Sequence, residues 1–183
     1  MMNMFKKFRE FIFESKKTYD YACAMIYFDF PEMKSLHKQI DEADVFVDPK
    51  DPTFGLETEP HCTLLYGLHE EVKVDKIREI LEGHSFGTCK IENASLFEND
   101  KFDVLKFDVK NEDLHRCNAD LVKLPHTTDY PKYHPHMTVA YLKPGKGKKY
   151  VEMFEGKTYE LSPSHAVYSH PSGSKDKLKI NKA

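Results

Sequence analysis

Two copies of one phrase carry the residues best suited to chemistry in this chain. They are Pro60-His61-Cys62-Thr63-Leu64-Leu65-Tyr66 and Pro135-His136-Met137-Thr138-Val139-Ala140-Tyr141. Each reads Pro, His, any residue, Thr, apolar, apolar, Tyr. Among the 10 histidines, only His61 and His136 are followed by Ser or Thr two places on and an apolar residue three places on. Imidazole exchanges protons near neutral pH, and a pair can divide the labour, one neutral as base and one cationic as acid. Two histidines and two hydroxyls converging on one cleft would suit acid–base work on a phosphate.

The elements that must position these residues follow from local pattern. Both phrases are apolar around His and Thr, and each opens on a proline that a strand tolerates as its first residue, so each reads as a short buried strand. Strict alternation puts His61, Thr63 and Leu65 on one face and Leu64 and Tyr66 on the other. In the second copy His136, Thr138 and Ala140 share a face. Tyr66 and Tyr141 are therefore expected to pack beneath the sheet.

Upstream, residues 20–30 form a strand candidate ended by Pro31, and Met33, Leu36, His37 and Ile40 fall on one face of a helix. A short strand at Val45–Val47 and a turn-rich loop, Asp48–Pro60, lead to the first phrase. A helix from Asp75 buries Ile77, Ile80 and Leu81. Strands follow at Phe86–Leu96 and Val104–Lys110. Asn111 caps a helix that buries Leu114, Cys117, Leu121 and Val122. A second long loop, Leu124–Pro135, leads to the second phrase. The basic stretch Lys143–Lys149 reads as a solvated hairpin tip or as a phosphate clamp, and three short strands close the chain. Each half supplies strand, helix and motif strand, which indicates an α+β fold.

At 183 residues the chain is long enough for a real core. A net charge of −3 carries no basic footprint for long nucleic acid. A short oligonucleotide needs none. The 4 cysteines form no Cys-x-x-Cys pair and read as reduced thiols of a cytoplasmic protein. No apolar run approaches a membrane span. No metal set is convincing, because Pro135 separates His134 from His136 and no acidic cluster adjoins Cys62. No cofactor and no obligate protein partner are expected.

His61-Cys62-Thr63-Leu64 and His136-Met137-Thr138-Val139 resemble the paired signature of the 2H phosphoesterase family, over roughly residues 20–165. The wording of the two phrases is most similar to its branch of phage enzymes that degrade cyclic-oligonucleotide immune signals. The resemblance implies a bilobal fold, with two pseudo-symmetric lobes around a central cleft. It also implies catalysis by His61 and His136, with Thr63 and Thr138 bonding the phosphate oxygens. Which histidine is acid and which is base stays open. Tyr21, Tyr27, His134 and Glu160 are candidate substrate contacts. The expected substrate is a cyclic di- or trinucleotide cut at 3′-5′ linkages without a metal. RNA 2′,3′-cyclic phosphates or 2′-5′ oligonucleotides, and non-hydrolytic capture of a nucleotide, are the alternatives.

Residues 1–17 form an amphipathic helix by pattern, set apart from a single domain over 18–183. It reads either as docked on the body or as removable, since Phe8–Glu14 resembles capsid-targeting leaders of some tailed-phage proteins.

Overall fold

The computed structural model describes residues 19–183, so the expected N-terminal helix lies outside the described residues. The two motif strands are edge strands of two separate antiparallel sheets. Strand β1 (Ala22–Phe28) leads to helix α1 (Met33–Lys38), a loop over residues 48–60 and the first motif strand, β2 (His61–Leu68). After α2 (Val74–Glu82), β3 (Ser85–Phe86) and β4 (Cys89–Glu98), the same plan recurs. Strand β5 (Asp103–Lys110) leads to α3 (Glu112–Leu121), a second loop and the second motif strand, β6 (His136–Leu142). The chain closes with α4 (Lys148–Met153), β7 (Tyr159–Leu161), β8 (Pro163–Ser169), β9 (Lys175–Leu178) and β10 (Asn181–Lys182).

One sheet has the order β2-β1-β8-β9 and the other β6-β5-β4-β7, with β3 and β10 forming a small parallel pair. This is the α+β fold that the strand, helix and motif-strand pattern predicts. A single apolar cluster joins the inner faces of both sheets, from Ile26 and Leu64 through Leu105 and Phe107 to Val139. The four cysteines are buried and unbridged.

Three local expectations are corrected. Val45–Val47 is not a strand; only Val45 makes an isolated bridge, to Leu142. Lys143–Lys149 is no hairpin tip, because it leads into a helix. Lys148 opens α4, Lys149 pairs at 2.5 Å with the buried Asp44 carboxylate, and the Tyr150 hydroxyl donates to that carboxylate at 2.6 Å. Val122 falls beyond the end of α3 and is 38% exposed, because Pro125 stops the helix before its next buried turn.

The free edge of each motif strand is covered by the loop that precedes the other one. Leu56 bridges Ala140 and the Tyr141 N–H donates to the Gly55 carbonyl, so the first loop lies along β6. His126 bridges Leu68 and the Thr127 N–H donates to the Gly67 carbonyl, so the second loop lies along β2. Covering an exposed edge in this way satisfies its unpaired backbone groups.

Gly67 makes the second docking possible. Its φ of +102° suits glycine, and a Cβ there would lie 2.0 Å from the Thr127 carbonyl oxygen. Gly67→Ala is expected to destabilise the fold by about 3 kcal/mol, from backbone strain plus overpacking. Urea denaturation checks this; a loss under about 1 kcal/mol would mean that the Thr127 segment simply swings away.

Candidate functional site

Both motif histidines are held in the same way. His61 Nδ1 lies 2.8 Å from the Glu59 carbonyl oxygen, and His136 Nδ1 lies 3.1 Å from that of His134. The proline between carbonyl and ring fixes φ and carries that oxygen back beside the imidazole. A carbonyl can only accept, so Nδ1 carries the hydrogen and donates. Nε2 is then the atom that can take or give a proton.

The alternation of each motif strand breaks at one equivalent place. Ala24 pairs with Leu65 but Met25 with Thr63, which leaves Leu64 as an extra residue in β2. Leu105 pairs with Ala140 but Lys106 with Thr138, which leaves Val139 extra in β6. Such a bulge turns the residues beyond it to the other face. Both tyrosines therefore lie on the face of their histidine and not beneath the sheet. Tyr66 packs beside Tyr27 over Cys23, Met25 and Val167, and Tyr141 packs with Phe54, Phe102 and Val104.

Each bulge leaves a backbone carbonyl that a side chain from the opposite half engages. Asn118 Nδ2 of α3 donates to the Leu64 oxygen at 2.7 Å. His37 of α1 donates from Nε2 to the Val139 oxygen at 2.9 Å, and that oxygen also accepts the Glu57 N–H at 3.0 Å. His37 is thus no exposed helix histidine, as its position near a helix end suggests. Burial lowers its pKa, with the carbonyl bond opposing that shift. Tyr133 adds another tie, its buried hydroxyl donating to the Thr63 carbonyl at 2.7 Å.

These ties bring His61, Thr63, His136 and Thr138 to the wall of one cavity of about 440 Å³, with Tyr27, Glu57 and Tyr141. Thr63 and His136 also wall a second cavity of about 610 Å³, with Tyr66, Phe97, Lys106, Tyr133 and His134.

The charges around the two histidines differ. Lys106 stands opposite Thr138 and Asp108 opposite His136 on β5, whereas Met25 and Tyr27 hold the matching places opposite Thr63 and His61 on β1. Lys106 is only 8% exposed. It donates to Ser95 Oγ at 2.8 Å and lies 4.5 Å from the centre of the Phe97 ring, which meets His136 edge-on. Loss of surrounding water pushes the His136 pKa down to about 4, assisted by the charges of Lys106 and His61 and opposed by the His134 carbonyl and Asp108. On the other side, burial raises the Glu57 carboxyl pKa and His61 draws it back down.

The other predicted contacts are dispersed. Tyr27 lines the smaller cavity, but its ring is stacked between His61 and His165 at centroid distances of 5.3 and 5.1 Å. Both faces of its ring are thus occupied by imidazoles. His134 lines the larger cavity, and its carbonyl also orients His136. Tyr21 lies outside both cavities, stacked on His69 just before β1 begins. Glu160 is exposed on β7, the far edge of the second sheet, opposite Lys90, and does not reach the histidines. Spacing alone could not place Glu160, because strand order decides which strand lies at the far edge. Among the described residues, no group of three or more His, Cys, Asp or Glu side chains is placed to share a metal ion.

The fold is similar to that of Kluyveromyces marxianus Usb1, solved with uridine monophosphate. The TM-score is 0.56 at 7% identity, over 88% of this chain and 99% of that one. Escherichia coli LigT, solved with phosphate, aligns at a TM-score of 0.42 and 14% identity, over 87% of this chain and 99% of that one. No family model and no curated protein matches the sequence. The class that the fold defines is the bilobal α+β architecture expected of a 2H phosphoesterase.

Asn118→Ala removes the donor to the Leu64 carbonyl and is expected to cost about 1–3 kcal/mol. Chemical denaturation beside wild type measures it, and an unchanged midpoint would show that the bulge holds without this cap.

Proposed function

We propose that this chain is a 2H-type phosphodiesterase that cleaves 3′-5′ linkages of a short oligonucleotide by histidine acid–base catalysis. The observation that carries the reading is the pair of His-x-Thr units lining one cavity, each with Nδ1 fixed on a carbonyl. Neutral His136 is suited to the base. Its Nε2 takes the proton of a ribose 2′-hydroxyl, whose oxygen then attacks phosphorus. His61, with Glu57 nearby as a counter-charge, gives a proton from Nε2 to the departing 5′-oxygen. The Thr63 and Thr138 hydroxyls donate to the non-bridging oxygens as charge builds there. A 2′,3′-cyclic phosphate results, and water opens it with the two roles reversed. No step requires a metal.

The larger cavity offers Tyr66, Phe97 and Tyr133 as walls for a base beside the scissile phosphate. Stacking on aromatic side chains contributes about 1–3 kcal/mol per base and tolerates different bases. The forms of the two phrases support a finer reading. In it the substrate is a cyclic di- or trinucleotide immune signal, and its destruction counters the bacterial CBASS defence against phage. The Usb1 likeness keeps an RNA-directed phosphodiesterase as the second reading, since that relative was solved with a nucleoside monophosphate.

A panel of cyclic oligonucleotides, 2′-5′ oligoadenylate and 2′,3′-cyclic nucleotides, incubated in EDTA and resolved by chromatography, identifies linkage and end chemistry. His61→Ala and His136→Ala are each expected to lower kcat by about 10²–10⁴-fold while ligand is still bound. Ligand depletion that both variants leave unchanged would point to sequestration, and loss of turnover in EDTA would point to a metal.

A base with a pKa near 4 sets the acid side of the pH profile. As pH falls through that value His136 protonates, so kcat/KM is expected to hold above about pH 5 and to drop tenfold per unit well below pH 4. Lys106→Met removes a neighbouring cation, raises the His136 pKa and moves that limb to higher pH. An acid limb near pH 6.5 in the unaltered protein, or one that Lys106→Met leaves in place, speaks against this assignment.

A further inference from the structure

The first sheet carries an ordered array of side chains on its His61 face. Register places His61, Tyr27 and His165 in one row across β2, β1 and β8. The three rings stack at 25° and 18° between successive planes. A second row runs Thr63, Met25, Val167, Lys177, and a third runs Tyr66, Cys23, Ser169, Lys175. Cross-strand partners share a face, so Lys175 and Lys177 rise from the same surface as His61 and Thr63, at the opposite edge of the sheet. Three strand spacings separate Lys177 from Thr63, roughly 14 Å between backbones.

A cavity of about 560 Å³ occupies this edge. Lys34, Lys175, Lys177 and His165 wall it, with the carboxylates of Asp29 and Glu59 also on its rim. Lys175 and Tyr27 line the cavity of the two histidines as well, so the two spaces adjoin. Among the described residues that line it, three ammonium groups stand with two carboxylates, on a chain whose net charge is −3. The outer space thus adjoins the cavity that holds both histidines, and it combines these lysines with the aromatic walls of Tyr27, Phe28 and Phe30.

We infer that this edge is a second phosphate subsite, in which Lys175 and Lys177, beside His165, hold a phosphate further along the substrate than the one being cut. The inference rests on the phosphodiesterase reading and narrows its substrate class. The substrate is an oligonucleotide with at least two phosphates, linear or cyclic. A dinucleoside monophosphate or a mononucleotide 2′,3′-cyclic phosphate fills the site only in part. His165 is a positioning residue here, since its ring backs Tyr27 and through it His61.

Steady-state kinetics on the full chain tests this with two substrates of the same base: a 3′-5′ cyclic dinucleotide, with two phosphates, and the matched dinucleoside monophosphate, with one. In the Lys175→Ala/Lys177→Ala double variant, KM for the cyclic dinucleotide is expected to rise at least about 10-fold. That corresponds to the loss of about 1.4 kcal/mol of binding. For the one-phosphate substrate, kcat/KM should stay within about twofold. The Lys175→Arg/Lys177→Arg variant should restore the difference. Equal losses on both substrates, or no loss on either, would overturn the subsite. If the unaltered protein cleaves neither substrate, the phosphodiesterase reading fails. Calorimetric titration of the cyclic dinucleotide into the same variants then still decides whether these lysines bind its phosphates, with equal affinities counting against them.

Discussion

The site depends on one backbone constraint, the carbonyl left over where each motif strand bulges after its threonine. A buried carbonyl without a donor costs about 1–3 kcal/mol, so each bulge persists only where something donates to it. The donor comes from the other half in both cases, Asn118 for Leu64 and His37 for Val139. Neither half-site is therefore complete within its own sequence repeat. The loops follow the same exchange, each covering the edge of the opposite motif strand. This interlocking explains how two histidines so far apart in the chain are set over one cavity. Catalytic geometry tolerates little error, since a misplacement of about 1 Å can cost 10²-fold in rate.

On this nearly symmetric frame the chemistry is asymmetric. The strand paired with each motif strand presents two residues beside the His and Thr, in identical register. On β1 these are Tyr27 and Met25; on β5 they are Asp108 and Lys106. An apolar, stacked setting thus faces an ionic one across the cavity. The repeat duplicated the holding geometry, and substitution at the paired strand positions distinguished the two histidines.

Much of the fold was legible because periodicity reports burial. The motif strands begin at His61 and His136, α3 is capped by Asn111, and its inward residues Leu114, Cys117 and Leu121 are those that the spacing selects. What was illegible depends on partners distant in sequence. A bulge leaves no mark in a seven-residue phrase, so the faces of Tyr66 and Tyr141 were misassigned by alternation alone. Asn118 and His37 look like ordinary helix-surface residues until the opposite strand is laid against them. Lys106 sits in a strand that reads as alternating Val, Lys and Asp, and only its register against Thr138 gives it meaning. Glu160 was chosen by its place in the chain, and strand order put it on the far edge of the second sheet, while Tyr21 falls just before β1 against His69.

Strand order also gives the cleft a direction. The first sheet extends from its motif strand through β1 to β8 and β9, and its site face continues outward to Lys177 and Lys175. In the second sheet the same outward path from Thr138 meets Lys106 and then Ser95, which bond to each other under the Phe97 ring. That path ends in its own hydrogen bond, while the other reaches Lys177 and Lys175 on the last strand of its sheet. On the proposed reading, a ligand centred on the two histidines has Phe97 and Tyr133 towards the larger cavity and Lys175 and Lys177 towards the outer edge of the first sheet. Two sheets of four strands each, with the motif strand at one edge, thus present the same frame with different side chains along it.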